Sequence, residues 1–166
     1  EGNDWHGTEF LKGVFLRVHE RILWVPLPSR ICKWGLINTN HDPKWWTREK
    51  CIEHVAQVAK GQQVFMLDPI ARAFVDSWCP LTTKKGIRPN WMNVDSSHDF
   101  FLTTEEKKRW EEKWYELYNT RYSLTKKDVR KLIKDITENA GTCHAITGYV
   151  PSVLSQVDYL GVDPRA

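Results

Sequence analysis

The chain has 166 residues, with 24 lysines and arginines against 21 aspartates and glutamates, a net charge of +3, and 41% apolar and 27% charged side chains. That composition excludes a disordered tail or a repetitive fibrous chain, and the near balance of charge separates it from strongly basic polymer binders. No apolar run approaches the roughly eighteen residues of a membrane-spanning helix.

Residues Phe10 to Ile37 read as strands. Phe10-Leu11, Val14 to Val18 and Ile22 to Val25 are rich in aromatic and β-branched types, and His19-Glu20-Arg21 is placed as a hairpin turn. Pro26 and Pro28 then stop central pairing. After the turn-rich stretch Asn38 to Pro43, Thr47 is placed to cap a helix with Ile52, Val55, Val58 and Ala59 at helical spacing, ending at Gly61. Gln62 to Leu67 reads as a short strand, and Asp68-Pro69 as a cap followed by proline at the first helical position. That helix turns Ile70, Ala73, Phe74 and Ser77 inward and stops before Pro80.

Thr82 to Asp99 has no period and carries Lys84, Lys85 and Arg88, which marks a basic loop. Thr103-x-x-Glu106 is a capping box opening a helix to about Thr120, with Trp110, Trp114, Leu117 and Tyr118 on one face. Thr125-x-x-Asp128 is a second, with Leu124 and Val129 as the staple and Val129, Leu132, Ile133 and Ile136 as the inner stripe. Pro151-Ser152 open a last helix with Val153, Leu154, Val157 and Leu160 on one side, closed by Gly161. The predicted fold is α+β, with a small antiparallel β-layer at the N-terminus and a helical C-terminal half. Residues 1–81 form a β-rich subdomain with two helices, 82–99 a linker and 100–166 a three-helix segment, together one compact unit.

Nine tryptophans are many for a domain of this size, and most stand beside cations or prolines. Trp24, Trp78, Trp110 and Trp114 fall on strands or inner helical stripes and are assigned to the core, with Trp5 and Trp34 unassigned. Trp45, Trp46 and Trp91 fall in or beside loops near cations, where an exposed indole suits stacking on bases or a protein partner. The candidate binding set is Lys44, Trp45, Trp46, Lys84, Lys85, Arg88, Trp91, Lys126, Lys127 and Arg130.

Cys51-x-x-His54 has the spacing that sets two metal ligands on one helical face, making these residues candidates for a structural zinc. A second tight ligand pair is missing, and the bland alternative is a packed cysteine and an exposed histidine. No catalytic motif and no glycine-rich phosphate loop is present, so no catalytic residue is assigned. Cys32, Cys51, Cys79 and Cys143 are far apart, which points to reduced thiols and a cytoplasmic or nuclear setting. Their even number leaves open a secreted ligand with two disulfides.

Two segments resemble the end domains of retroviral integrases. Trp5-His6-Gly7 followed by Val14-Phe15-Leu16 and Ile22-Leu23-Trp24-Val25-Pro26 with Arg30 is similar to the C-terminal barrel of that family, which is SH3-like and binds DNA. Leu124 to Ile133, Cys143 and Leu160-Gly161-Val162-Asp163-Pro164-Arg165 resemble the end of its N-terminal helical domain. The order of the two is reversed here, the catalytic core has no counterpart, and Cys143 alone matches a zinc ligand, so no zinc site carries over. The stretch Pro151 to Leu160, with the tryptophans and basic charge, also resembles lentiviral infectivity factors, adaptors that recruit a ubiquitin ligase through a C-terminal helix. That resemblance implies that Leu154, Val157 and Leu160 enter a partner's groove.

The leading expectation is a non-enzymatic recognition module that binds nucleic acid through basic and tryptophan-rich surfaces, with a retroviral origin implied by the resemblance. The alternatives are a viral accessory-type adaptor for host proteins and the disulfide-bonded ligand.

Overall fold

The β-branched and aromatic residues near the N-terminus do pair. In a computed structural model, which describes residues 9–18, 21–35, 46–82, 103–142 and 144–165, they form an antiparallel sheet of three strands in the order β1 (Glu9–Phe10), β2 (Gly13–Val18) and β3 (Arg21–Pro26). Val14 faces Val25 and Leu16 faces Leu23, so one face presents these residues to the core. On the other face Trp24 lies flat against Gly13, donates from Nε1 to the Phe10 carbonyl at 2.8 Å and meets Phe65 edge-on. Leu11 belongs to the turn rather than to a strand. It and Lys12 form a two-residue hairpin loop with φ of 53° and 57°, a left-handed pair more usual for Asn-Gly.

The chain then departs from the strands expected as far as Ile37. Leu27 is extended and Pro28 sits in the first helical turn, so α1 (Pro28–Ile31) forms and buries Ile31. The Thr47 hydroxyl accepts from the Lys50 N–H and opens α2 (Arg48–Gly61), which buries Val55, Ala56 and Ala59. The strand expected over Gln62–Leu67 is a 3₁₀ turn, Gln63–Phe65. Gln62 N–H already bonds back to Val58 and Ala59, and Phe65 N–H to Gln62, which leaves these donors committed locally rather than to a sheet edge.

Asp68 caps α3 (Pro69–Trp78) as the Asp-Pro pair predicts, and a second 3₁₀ turn, Cys79–Leu81, accommodates Pro80. The inner face of α3 is Ile70, Ala71, Phe74, Val75 and Trp78, with Ala73 and Ser77 only half-buried. Thr103 caps α4 (Thr104–Tyr122), which runs two residues past the expected end and buries Trp110, Trp114, Tyr118 and Tyr122 at every fourth position. Ser123 at φ 55° ends it, and both bonds of the Thr125–Asp128 capping box start α5 (Lys126–Asn139). The last helix, α6 (Tyr149–Leu160), starts two residues before Pro151, whose missing N–H is harmless in a first turn.

One cluster of buried residues joins Val14, Leu16 and Val25 of the sheet to Phe74, Trp114, Leu132 and Leu154 of the helices, with α3 packed between α2 and α5. The architecture is α+β. No helix among the described residues is long and apolar enough to cross a membrane.

Candidate nucleic-acid interface

The capping box fixes where α5 begins, and its apolar stripe of Val129, Leu132 and Ile136 fixes which side turns inward. The opposite side therefore carries Lys126, Lys127, Arg130, Lys131 and Lys134 into solvent, all exposed, over a rise of about 12 Å. Three carboxylates, Asp128, Asp135 and Glu138, stand against these five cations and leave α5 with an excess of positive charge. Asp128 is committed to the Thr125 cap through its backbone N–H (2.9 Å) and hydroxyl (3.0 Å), Asp135 is half-buried, and Glu138 reaches Lys134 at 3.8 Å. On α4, by contrast, Glu105, Glu106, Glu111 and Glu112 interleave with Lys107, Lys108, Arg109 and Lys113, and Lys113 pairs with Glu116 at 3.4 Å.

A half-buried aromatic stands at the start of the α5 stripe. Lys126 Nζ lies 5.4 Å from the centroid of Tyr115, which also packs edge-on against Tyr118. Burial, then the charge of Glu111, raises the pKa of the Tyr115 phenol, while Arg130 opposes that rise. Lys126 and Arg130 thus both act on one ring.

Trp46 occupies a separate place. Its ring lies 5.2 Å from that of His54, tilted by 54°, with Lys50 Nζ 5.7 Å from the indole, in a cleft of about 620 Å³ walled also by Glu49, Glu53, Gln57 and Leu81. Glu53 is held there by Gln57 at 3.2 Å and by a short bond from the Thr82 hydroxyl. Arg48 Nη2 reaches the Gly141 carbonyl at 3.4 Å, so this end of α2 lies beyond the last turn of α5. Trp46 and the trio Lys126, Lys127 and Arg130 are therefore near opposite ends of a helix about 20 Å long. Lys44, Trp45, Lys84, Lys85, Arg88 and Trp91 lie outside the described residues.

The proposed Cys51 and His54 pair falls on α2 as the spacing requires. Among the described residues, however, no group of three or more histidine, cysteine or acidic side chains is gathered to hold a metal ion, and His54 has Trp46 as its ring partner. Cys32, Cys51 and Cys79 are free thiols, and burial, followed by the charges of Asp68 and Asp158, pushes Cys32 up to about 12.

The burial of two carboxylates, one of them the Asp68 cap, was not legible in the sequence. Asp68 accepts from the Tyr118 hydroxyl and the Ile70 N–H. Asp158 on α6 accepts from the Tyr122 hydroxyl at 2.9 and 3.0 Å, from Arg121 Nε at 3.0 Å and, through a short bond, from Ser29. Arg121 extends this network to Glu9 at 3.1 Å. The only available signal was Asp68 before a proline; Asp158 resembles any polar helical residue until α1 and α4 close over it. Leu154 lies in the core of this same chain with Val157 packed against it, whereas Leu160, expected on that side, is exposed.

No family model, no curated protein and no solved structure matches the chain.

Proposed function

We propose that the chain is a non-enzymatic recognition module that binds nucleic acid along the exposed side of α5. The observation that carries this is the row Lys126, Lys127, Arg130, Lys131 and Lys134, five exposed cations in little more than two turns, with the nearest carboxylate committed to the helix cap. Side chains on one face of a helix follow a phosphate backbone, and the half-buried Tyr115 beside Lys126 offers a ring for an unpaired base. The resemblance of the Val14–Arg30 and Leu124–Ile133 segments to integrase end domains, a family in which the C-terminal barrel binds DNA, points the same way. Trp46, with Lys50 and His54, is a second stacking site toward the far end of α5.

Fluorescence anisotropy with labelled single-stranded and duplex oligonucleotides, at increasing salt, tests the proposal. Three to five phosphate contacts give a log–log salt slope of about −2 to −4. Substituting Lys126, Lys127 and Arg130 together by glutamine reduces that slope by about one per residue lost. The three side chains are exposed, so the variant's circular dichroism spectrum should match that of the parent. Affinity that is indifferent to salt, or unchanged in this variant, overturns the assignment.

A further inference from the structure

We infer that the end of the molecule where the β1–β2 turn meets the last turn of α6 is a contact surface for a membrane bearing anionic lipid headgroups. Of the eight large apolar side chains exposed among the described residues, four belong here, Leu11, Tyr159, Leu160 and Val162, while Phe10, opposite Gly13, turns to the Trp24 face of the sheet. Leu160 at 74% and Leu11 at 71% are the two most exposed of all. Single exposed leucines are ordinary on protein surfaces, whereas a cluster of apolar side chains at one end marks an interaction site.

The two tips are fastened together. Lys12 Nζ donates to the Asp158 carbonyl at 3.1 Å and lies 5.4 Å from the Tyr159 ring, Lys33 Nζ lies 3.9 Å from that ring, and Arg30 reaches the Leu11 carbonyl at 3.5 Å. Lys12, Arg30 and Lys33 are exposed and surround the apolar tips with positive charge. Of the carboxylates at this end, Glu9 pairs with Arg121 and also lies 3.9 Å from Lys12, Asp158 is buried, and Asp163 pairs with Arg165 at 3.5 Å, so headgroup contacts fall to Arg30 and Lys33.

Apolar groups that project from a turn and a helix end, a tyrosine at their base and cations around them match the layering of a bilayer surface, from acyl chains to interface to phosphates. Leu11 strengthens the case. A left-handed turn position favours asparagine or glycine, and an exposed leucine there adds nothing to the core, so folding does not account for it.

Co-sedimentation of the whole chain with vesicles of phosphatidylcholine alone, and of phosphatidylcholine with phosphatidylserine, tests the inference. Binding is expected to the serine-containing vesicles and to weaken with salt, with about fivefold lost for each of R30Q and K33Q. The pair L11S/L160S should lose at least about tenfold while its thermal unfolding and oligonucleotide affinity stay unchanged. Conversely, glutamine at Lys126, Lys127 and Arg130 should leave vesicle binding intact, which keeps this surface distinct from the α5 face. Absence of binding to anionic vesicles, parental binding by L11S/L160S, or loss of vesicle binding in the α5 variant overturns the inference. So does a lipid-free dimer of the parent chain that L11S/L160S converts to monomer, which would give these tips to a second copy.

Discussion

The Tyr118 hydroxyl donates a hydrogen bond to the carboxylate of Asp68, fifty positions away in the chain, and so ties the cap of α3 to the C-terminal part of α4. The carboxylate is buried. Oδ1 accepts from Tyr118 and from the Ile70 N–H at 3.0 Å, whereas Oδ2 finds no hydrogen-bond partner among the described residues. Loss of solvation outweighs these bonds and the charge of Arg72, and pushes Asp68 up to about 7.

A raised carboxylate has a definite consequence for stability. Between the unfolded value of about 4 and the folded value of about 7, the folded chain holds a proton that the unfolded chain has released. This contribution is complete below the unfolded value and is lost as pH rises toward the folded one, at up to about 1.4 kcal/mol per pH unit. Urea unfolding at pH 5 and at pH 7.5 should show this loss in the parent chain and a shallower pH dependence in Asp68→Asn.

Removing Asp158 should be among the costlier single changes. Its two oxygens serve Tyr122, Ser29 and Arg121, which come from α1 and α4, and alanine strands all three. Breaking a buried ion pair costs about 3–5 kcal/mol. The lower end applies here, because Arg121 keeps Glu9 and is partly solvated. Urea midpoints of Asp158→Ala and Asp158→Asn give the measure, with the amide variant the less affected of the two.

Gly13→Ala tests the close approach of Trp24. An added Cβ would run into the six-membered ring and the ring nitrogen of Trp24, whose indole is held by the Phe10 carbonyl and Phe65. The indole must move, at a cost of about 1–3 kcal/mol typical of overpacking. Loss of near-ultraviolet ellipticity together with a lower melting temperature is the expected signature.

Leu11→Gly should act in the opposite direction. At φ 53° a leucine side chain crowds its own backbone, and relief of about 1 kcal/mol exceeds what an exposed leucine contributes to the fold. The melting temperature should rise by a few degrees. If the variant is also poorer at binding anionic vesicles, the leucine is retained at the expense of stability.

The helices were legible because their signals are local. Caps at Thr47, Asp68, Thr103 and Thr125 act within three residues, and the recurrence of Trp110, Trp114 and Tyr118 along α4 names its inner face directly. The β2–β3 hairpin was legible for the same reason, although Arg21, expected in its turn, is the first residue of β3 and pairs with Val18. The exposed cations of α5 followed from its apolar stripe, since what is not inward on a helix is outward.

Local backbone bonding and tertiary packing decided the remainder. Gln63–Phe65 was chosen for a turn by committing its backbone donors locally, against a β-prone sequence. Leu160, six positions after the buried Leu154, stands about 120° round the helix from it and is exposed, while Asp158, four positions on, takes the inner place. Asp68 and Asp158 became internal only when distant tyrosines closed over them, 50 and 36 positions away. A charge at such sites is set by desolvation and long-range partners, and neither is written in the neighbouring residues.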